Sequence, residues 1–153
     1  MKDSVTVHWE RTSPDFHFDR YNREHRWVFP SGQSVEASAG LAFGGKLTHV
    51  NPEEGFVASV SSCHMLTFLA IAARKRFVVE RYTDRATGVL EKNENGIPVV
   101  TRVTLRPEVV FGGDRLPTAK DIHGIHRSSH RHCFIAQSIK SEVVIEPVGV
   151  DDA

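Results

Sequence analysis

The chain holds two cysteines, Cys63 and Cys133. A thiolate can be a nucleophile, a metal ligand or one half of a disulfide. A buried thiol can also do no more than pack. Cys63 stands in Ser61-Ser62-Cys63-His64-Met65, and Cys133 in His130-Arg131-His132-Cys133-Phe134-Ile135. Both segments read as helix, and two packed helices can bring their sulfurs together if the Cα atoms approach within about 7 Å. Core packing, metal binding and redox pairing are all open at this point. For a metal, His126 and His130 share a helix face, Cys133 follows, and Cys63 or His64 could be a fourth ligand. Against this, Arg127 and Arg131 stand among the ligands, and no HExxH glutamate is present. Other chemistries have less support. There is no Gly-x-Ser-x-Gly elbow, and Gly44-Gly45 and Gly112-Gly113 are turn signals, not phosphate loops.

A nucleophilic Cys63 needs a cation nearby to favour its thiolate. Arg23 is the first candidate and Arg20 the second, with Glu53 as the carboxylate that would hold the guanidinium. A guanidinium fork also suits a peroxide oxygen. Glu53 and Cys63 lie ten positions apart on one helix, about 15 Å along its axis. One site using both therefore requires the helix start to unwind, or Glu53 and its arginine to come from a second subunit. We expect the second, a homodimer with an interfacial site. His64 adjoins Cys63, but neighbouring helical residues point about 100° apart.

The elements that must position these residues are readable. Asn51-Pro52-Glu53-Glu54 starts a helix: Asn51 caps, Pro52 suits the first position, and two acids meet the positive end of the dipole. It should run to about Arg76. Its apolar residues, among them Phe56, Val60, Met65, Leu66, Phe68 and Ile71, cover most of the circumference, which also calls for a partner subunit. A second helix should start at Thr118, with Asp121 completing a capping box and Leu116 stapling against Ile122, and reach about Ile139. Gly124 could kink it. Strands are expected at Val5–Trp9 (half-buried), Arg26–Phe29, Gln33–Ala37, Phe77–Tyr82, Gly88–Glu91, Val99–Leu105 and Glu142–Glu146. Gly40 to Val50 reads as a flexible approach. The order implies one α+β domain over residues 1–153, two helices on mainly antiparallel strands.

The totals agree. The chain has 153 residues, enough for one core. Nineteen basic and nineteen acidic residues cancel, so a nucleic-acid partner is not expected. The N-terminus has no basic start followed by an apolar run, and the apolar stretch at Met65–Ala73 is too short to span a bilayer. The expectation is a cytoplasmic protein without a membrane partner, where thiols are kept reduced.

Asn51-Pro52-Glu53-Glu54, Cys63 ten residues after Glu53, and a second-helix cysteine seventy residues further on together resemble the OsmC/Ohr family, osmotically inducible and organic hydroperoxide resistance proteins. Val50–Ala73 and His126–Ser138 carry the resemblance. It implies an intertwined homodimer and thiol-dependent reduction of organic hydroperoxides. Cys63 would be the peroxidatic cysteine, Cys133 the resolving one, and Glu53 the partner of the active-site arginine, best matched by Arg23. A dithiol reductant like dihydrolipoamide would close the cycle, with no metal, flavin or haem. Here Cys63 is followed by His64-Met65 where the best-known branch has phenylalanine, and Cys133 by Phe134 where it has proline. These departures point to a less characterised OsmC-like branch. The alternative is a non-catalytic dimer that senses oxidation or binds a small apolar ligand.

Overall fold

A computed structural model describes residues 1–152. The elements run β1 (Thr6–His8), β2 (His25–Val28), β3 (Ser34–Ala37), α1 (Pro52–Arg74), β4 (Val78–Asp84), β5 (Thr87–Lys92), β6 (Pro98–Leu105), β7 (Pro107–Gly112), α2 (Ala119–His132), α3 (Phe134–Ser138) and β8 (Glu142–Ile145). The class is α+β, as expected. The chain packs as two compact units, residues 1–55 and the part beginning at Phe56, with α1 running from one into the other.

In the first unit β1, β2 and β3 form an antiparallel sheet with Val7 opposite Trp27 and Trp27 opposite Val35. β1 was expected to be half-buried, but Val5, Val7 and Trp9 are exposed. It is an edge strand at the end of a small sheet. The glycine-rich approach is pinned, not loose. Ser38 N–H donates to Val50 O at 2.9 Å and Val50 N–H to Glu36 O at 3.1 Å. A Cβ on Gly45 would lie 1.5 Å from Ala39 O, so only glycine fits there. The start of α1 is a reciprocal box: Glu54 N–H donates to Asn51 Oδ1 at 2.8 Å, and Asn51 N–H to Glu54 Oε2 at 2.9 Å.

In the second unit α1 buries one stripe, Val60, His64, Phe68 and Ala72, spaced one turn apart. Two clusters meet it. Phe68 and Ala72 pack with Phe77 and Ile125, while Val60 packs with Val103 and Leu105. The opposite stripe, Ala58, Ser62, Leu66 and Ala70, is exposed. By length and composition α1 is long and apolar enough to cross a bilayer, yet its one buried face is that of a core helix. It ends in a Schellman arrangement, with Phe77 N–H donating to Ala72 O and Arg76 N–H to Ala73 O. Arg76 takes the left-handed position at φ 62° that glycine usually fills.

The strands form two sheets, β4-β7 and β5-β6-β8. β7 was not expected from the sequence; it pairs antiparallel with β4. β8 lies parallel to β6, with Val143 opposite Val103. The capping box of α2 is present, Asp121 N–H donating to Thr118 Oγ1 at 3.2 Å and Thr118 N–H to Asp121 Oδ2 at 2.9 Å. Leu116 is exposed and does not staple it. The second helix does not run unbroken to Ile139. It stops at His132 and restarts as α3 at Phe134, with Cys133 in extended conformation between them at φ −73° and ψ 109°. The break falls at Cys133, not at Gly124.

Candidate active site

Cys133 owes its position to that break. Its Sγ caps α3 by accepting from Ala136 N–H at 3.4 Å, and the residue is fully buried. Cys63 is half-buried on α1. Both thiols are free, and Cys63 is the neighbouring side chain that acts on Cys133. Burial pushes the Cys133 thiol up to about 11, and the neighbouring Cys63 side chain adds to the rise, against the N–H of Ala136, which favours the thiolate. Cys133 therefore keeps its proton at neutral pH.

His64, next to Cys63, does not turn toward the thiols' chemistry. It is buried beneath α2, with Nε2 3.0 Å from His126 Nδ1. The rings are nearly coplanar, 7° from parallel with centroids 5.4 Å apart, and meet edge to edge through that contact. Phe68 lies against His126 at 4.5 Å. Burial first, then the charge on His130, lowers His64 to about 4. Burial first, then His64 and His123, lowers His126 to about 3. Both rings are thus neutral near pH 7. Sequence reasoning saw both histidines but not their pairing across 62 positions; a buried polar pair with no local motif leaves no periodic signal. Among the described residues, no group of three or more His, Cys, Asp or Glu is placed to hold a metal ion. The zinc arrangement of His126, His130 and Cys133 is therefore not formed, because His126 is turned to His64.

The other two expected site residues lie in the first unit. Glu53 is half-buried in the first turn of α1, which is regular from Pro52 and does not unwind. Arg23 donates from Nη1 to Tyr21 O at 2.7 Å and from Nη2 to Phe18 O at 2.8 Å. Its guanidinium lies 4.1 Å from the centre of the Tyr21 ring. Arg23 and Glu53 form no ion pair with each other among the described residues. Arg20 is held by Asp15 at 2.8 Å in an exposed pair. Arg23 instead borders a cavity of about 580 Å³ walled by Trp9, Phe16, Phe18 and Tyr21. Ser38 also lines it, fully buried, and its Oγ has no partner.

Residues 44–148 match the family model for OsmC-like proteins. Among solved structures, an OsmC-like protein of unknown function from Vibrio cholerae is 44% identical, covering 97% of this chain and 99% of its own, with a TM-score of 0.94. An organic hydroperoxide resistance protein from Legionella pneumophila shares the fold at 14% identity, covering 96% of this chain and 95% of its own, with a TM-score of 0.70. The organic hydroperoxide resistance protein OhrB of Bacillus subtilis does so at 16% identity, covering 96% and 98%, with a TM-score of 0.68. A comparison with curated protein sequences returned no match.

Proposed function

Because the chain belongs to the OsmC-like family, we propose that it reduces organic hydroperoxides to alcohols, with Cys63 attacking and Cys133 resolving. The observation that carries this reading is a pair of free thiols, one half-buried on α1 and one buried at the break between α2 and α3, with Cys63 among the groups that raise Cys133. The roles follow from exposure and proton affinity. Cys63 is reachable by a peroxide, whereas Cys133 is buried and protonated. The Cys63 thiolate attacks the outer peroxide oxygen and the O–O bond breaks. The alkoxide takes a proton and leaves as the alcohol, and Cys63 becomes a sulfenic acid. Cys133 then displaces its hydroxyl, forming the Cys63–Cys133 disulfide and releasing water. A dithiol reductant of the dihydrolipoamide type restores both thiols by exchange and leaves as its own disulfide.

We place this chemistry in a homodimer in a reducing, cytoplasmic compartment. The exposed stripe Ala58, Ser62, Leu66 and Ala70 on an apolar helix supports a second copy. A regular α1 keeps Glu53 about 15 Å along the axis from Cys63. In this reading Glu53 and Arg23 are therefore supplied by that second copy. The aromatic walls beside Arg23 suit an apolar alkyl or aryl hydroperoxide better than hydrogen peroxide.

The test is turnover. Protein with dihydrolipoamide and cumene hydroperoxide should yield the alcohol catalytically, and faster than it consumes hydrogen peroxide. Cys63→Ser should abolish this. Oxidation once, without turnover under any dithiol, would favour a second reading: a redox-sensing or ligand-binding dimer. The aromatic cavity with its unpartnered Ser38 hydroxyl is the observation on that side.

A further inference from the structure

One face of α2 has no part in the thiol chemistry. His126, Arg127, His130 and Arg131 follow one another at helical spacing and wall a cleft of about 380 Å³. Ile145 and Pro147, at the end of β8 and just beyond it, give it an apolar side. The volume lies within the range of small-ligand pockets. Basic residues near a helix C-terminus complement the dipole, which accounts for Arg131 and His130 but not for the buried nitrogens. His126 is 3% exposed, and its Nε2 has no hydrogen-bond partner. His130 Nδ1 is likewise buried without one. Leaving such a buried group unsatisfied is unfavourable. Among the described residues Arg127 and Arg131 form no ion pair, and no carboxylate side chain lines the cleft. His123 is already engaged, its Nε2 lying 2.8 Å from Asp151 O.

We propose that this cleft binds a small organic anion, an oxyanion head on an apolar body. The two guanidinium groups offer planar forks for the head. The apolar side and the imidazole faces receive the body. His126 supplies a directed donor. If His64 Nε2–H donates to His126 Nδ1 across their 3.0 Å contact, the single proton of the neutral His126 ring is on Nε2. That tautomer presents the N–H that an anion requires, and binding satisfies a nitrogen that is otherwise orphaned.

The probe is sodium benzoate, with benzamide as its neutral counterpart, added to the full-length protein while the ring nitrogens of His126 and His130 are followed by ¹⁵N NMR. Benzoate should give saturable shifts at both rings, benzamide none. The double variant Arg127→Gln/Arg131→Gln, changed at two exposed positions, should fold normally and weaken benzoate at least about tenfold. Phenyl phosphate run beside it distinguishes a phosphate head from a carboxylate head, and either one bound with the same arginine dependence upholds the proposal. Shifts that do not saturate, equal binding of benzamide, or an unchanged affinity in the double variant would overturn it.

Discussion

The buried His64–His126 pair should make the protein acid-labile in a particular window. Burial holds both folded rings neutral, at about 4 and about 3, whereas in the unfolded chain they titrate near their ordinary value of about 6.5. Below that value the unfolded state takes up protons that the folded state refuses. Stability is therefore full above about pH 6.5 and falls as the pH drops toward the folded values. Between about pH 7 and pH 5 each ring should remove about 2 kcal/mol, about 4 kcal/mol together. That is a large share of a typical domain stability of about 5–15 kcal/mol. The assay is urea unfolding by far-ultraviolet circular dichroism across this pH range, at fixed protein concentration. His64→Leu/His126→Leu replaces both polar partners with apolar side chains of similar volume. It should remove most of the slope while leaving stability at neutral pH within about 2 kcal/mol of the parent. Equal pH slopes in parent and double variant would refute the reasoning.

Two further predictions concern assembly and local strain. Leu66, 63% exposed on the uncovered stripe of α1, should lie in the dimer contact. Leu66→Glu should then convert a dimer to a monomer in sedimentation equilibrium, and a parent already monomeric would remove the dimer from the account. Arg76→Gly relieves the left-handed backbone at φ 62°. It should raise stability by about 1 kcal/mol in urea unfolding, and destabilisation would show that the arginine side chain matters more than the backbone.

The fold was legible where local signals are strong. Asn51, Pro52 and Glu54 announce the start of α1 because capping is local, and the reciprocal Asn51–Glu54 bonds are present. The alternation from Val99 to Leu105 marks β6, although Val103, Thr104 and Leu105 at its end are all buried. β7 escaped because it is short, opens on Pro107 and gains its pairing from β4, far back in the chain. The helix break at Cys133 has no glycine or proline to announce it; its thiol caps α3 in place of a usual capping residue. That break matters because it carries Cys133, the second thiol of the proposed pair. The pairing of His64 with His126 is purely tertiary, set by how α1 and α2 pack around Phe68 and Ile125.

The most direct test of the two-thiol account is one equivalent of cumene hydroperoxide added to fully reduced protein, followed by intact mass and free-thiol titration. The account predicts rapid loss of both thiols and of two hydrogens in the parent. It predicts no reaction in Cys63→Ser, and a sulfenic acid that dimedone traps in Cys133→Ser. A parent that retains both thiols, or a Cys63→Ser variant oxidised as fast as the parent, would contradict it.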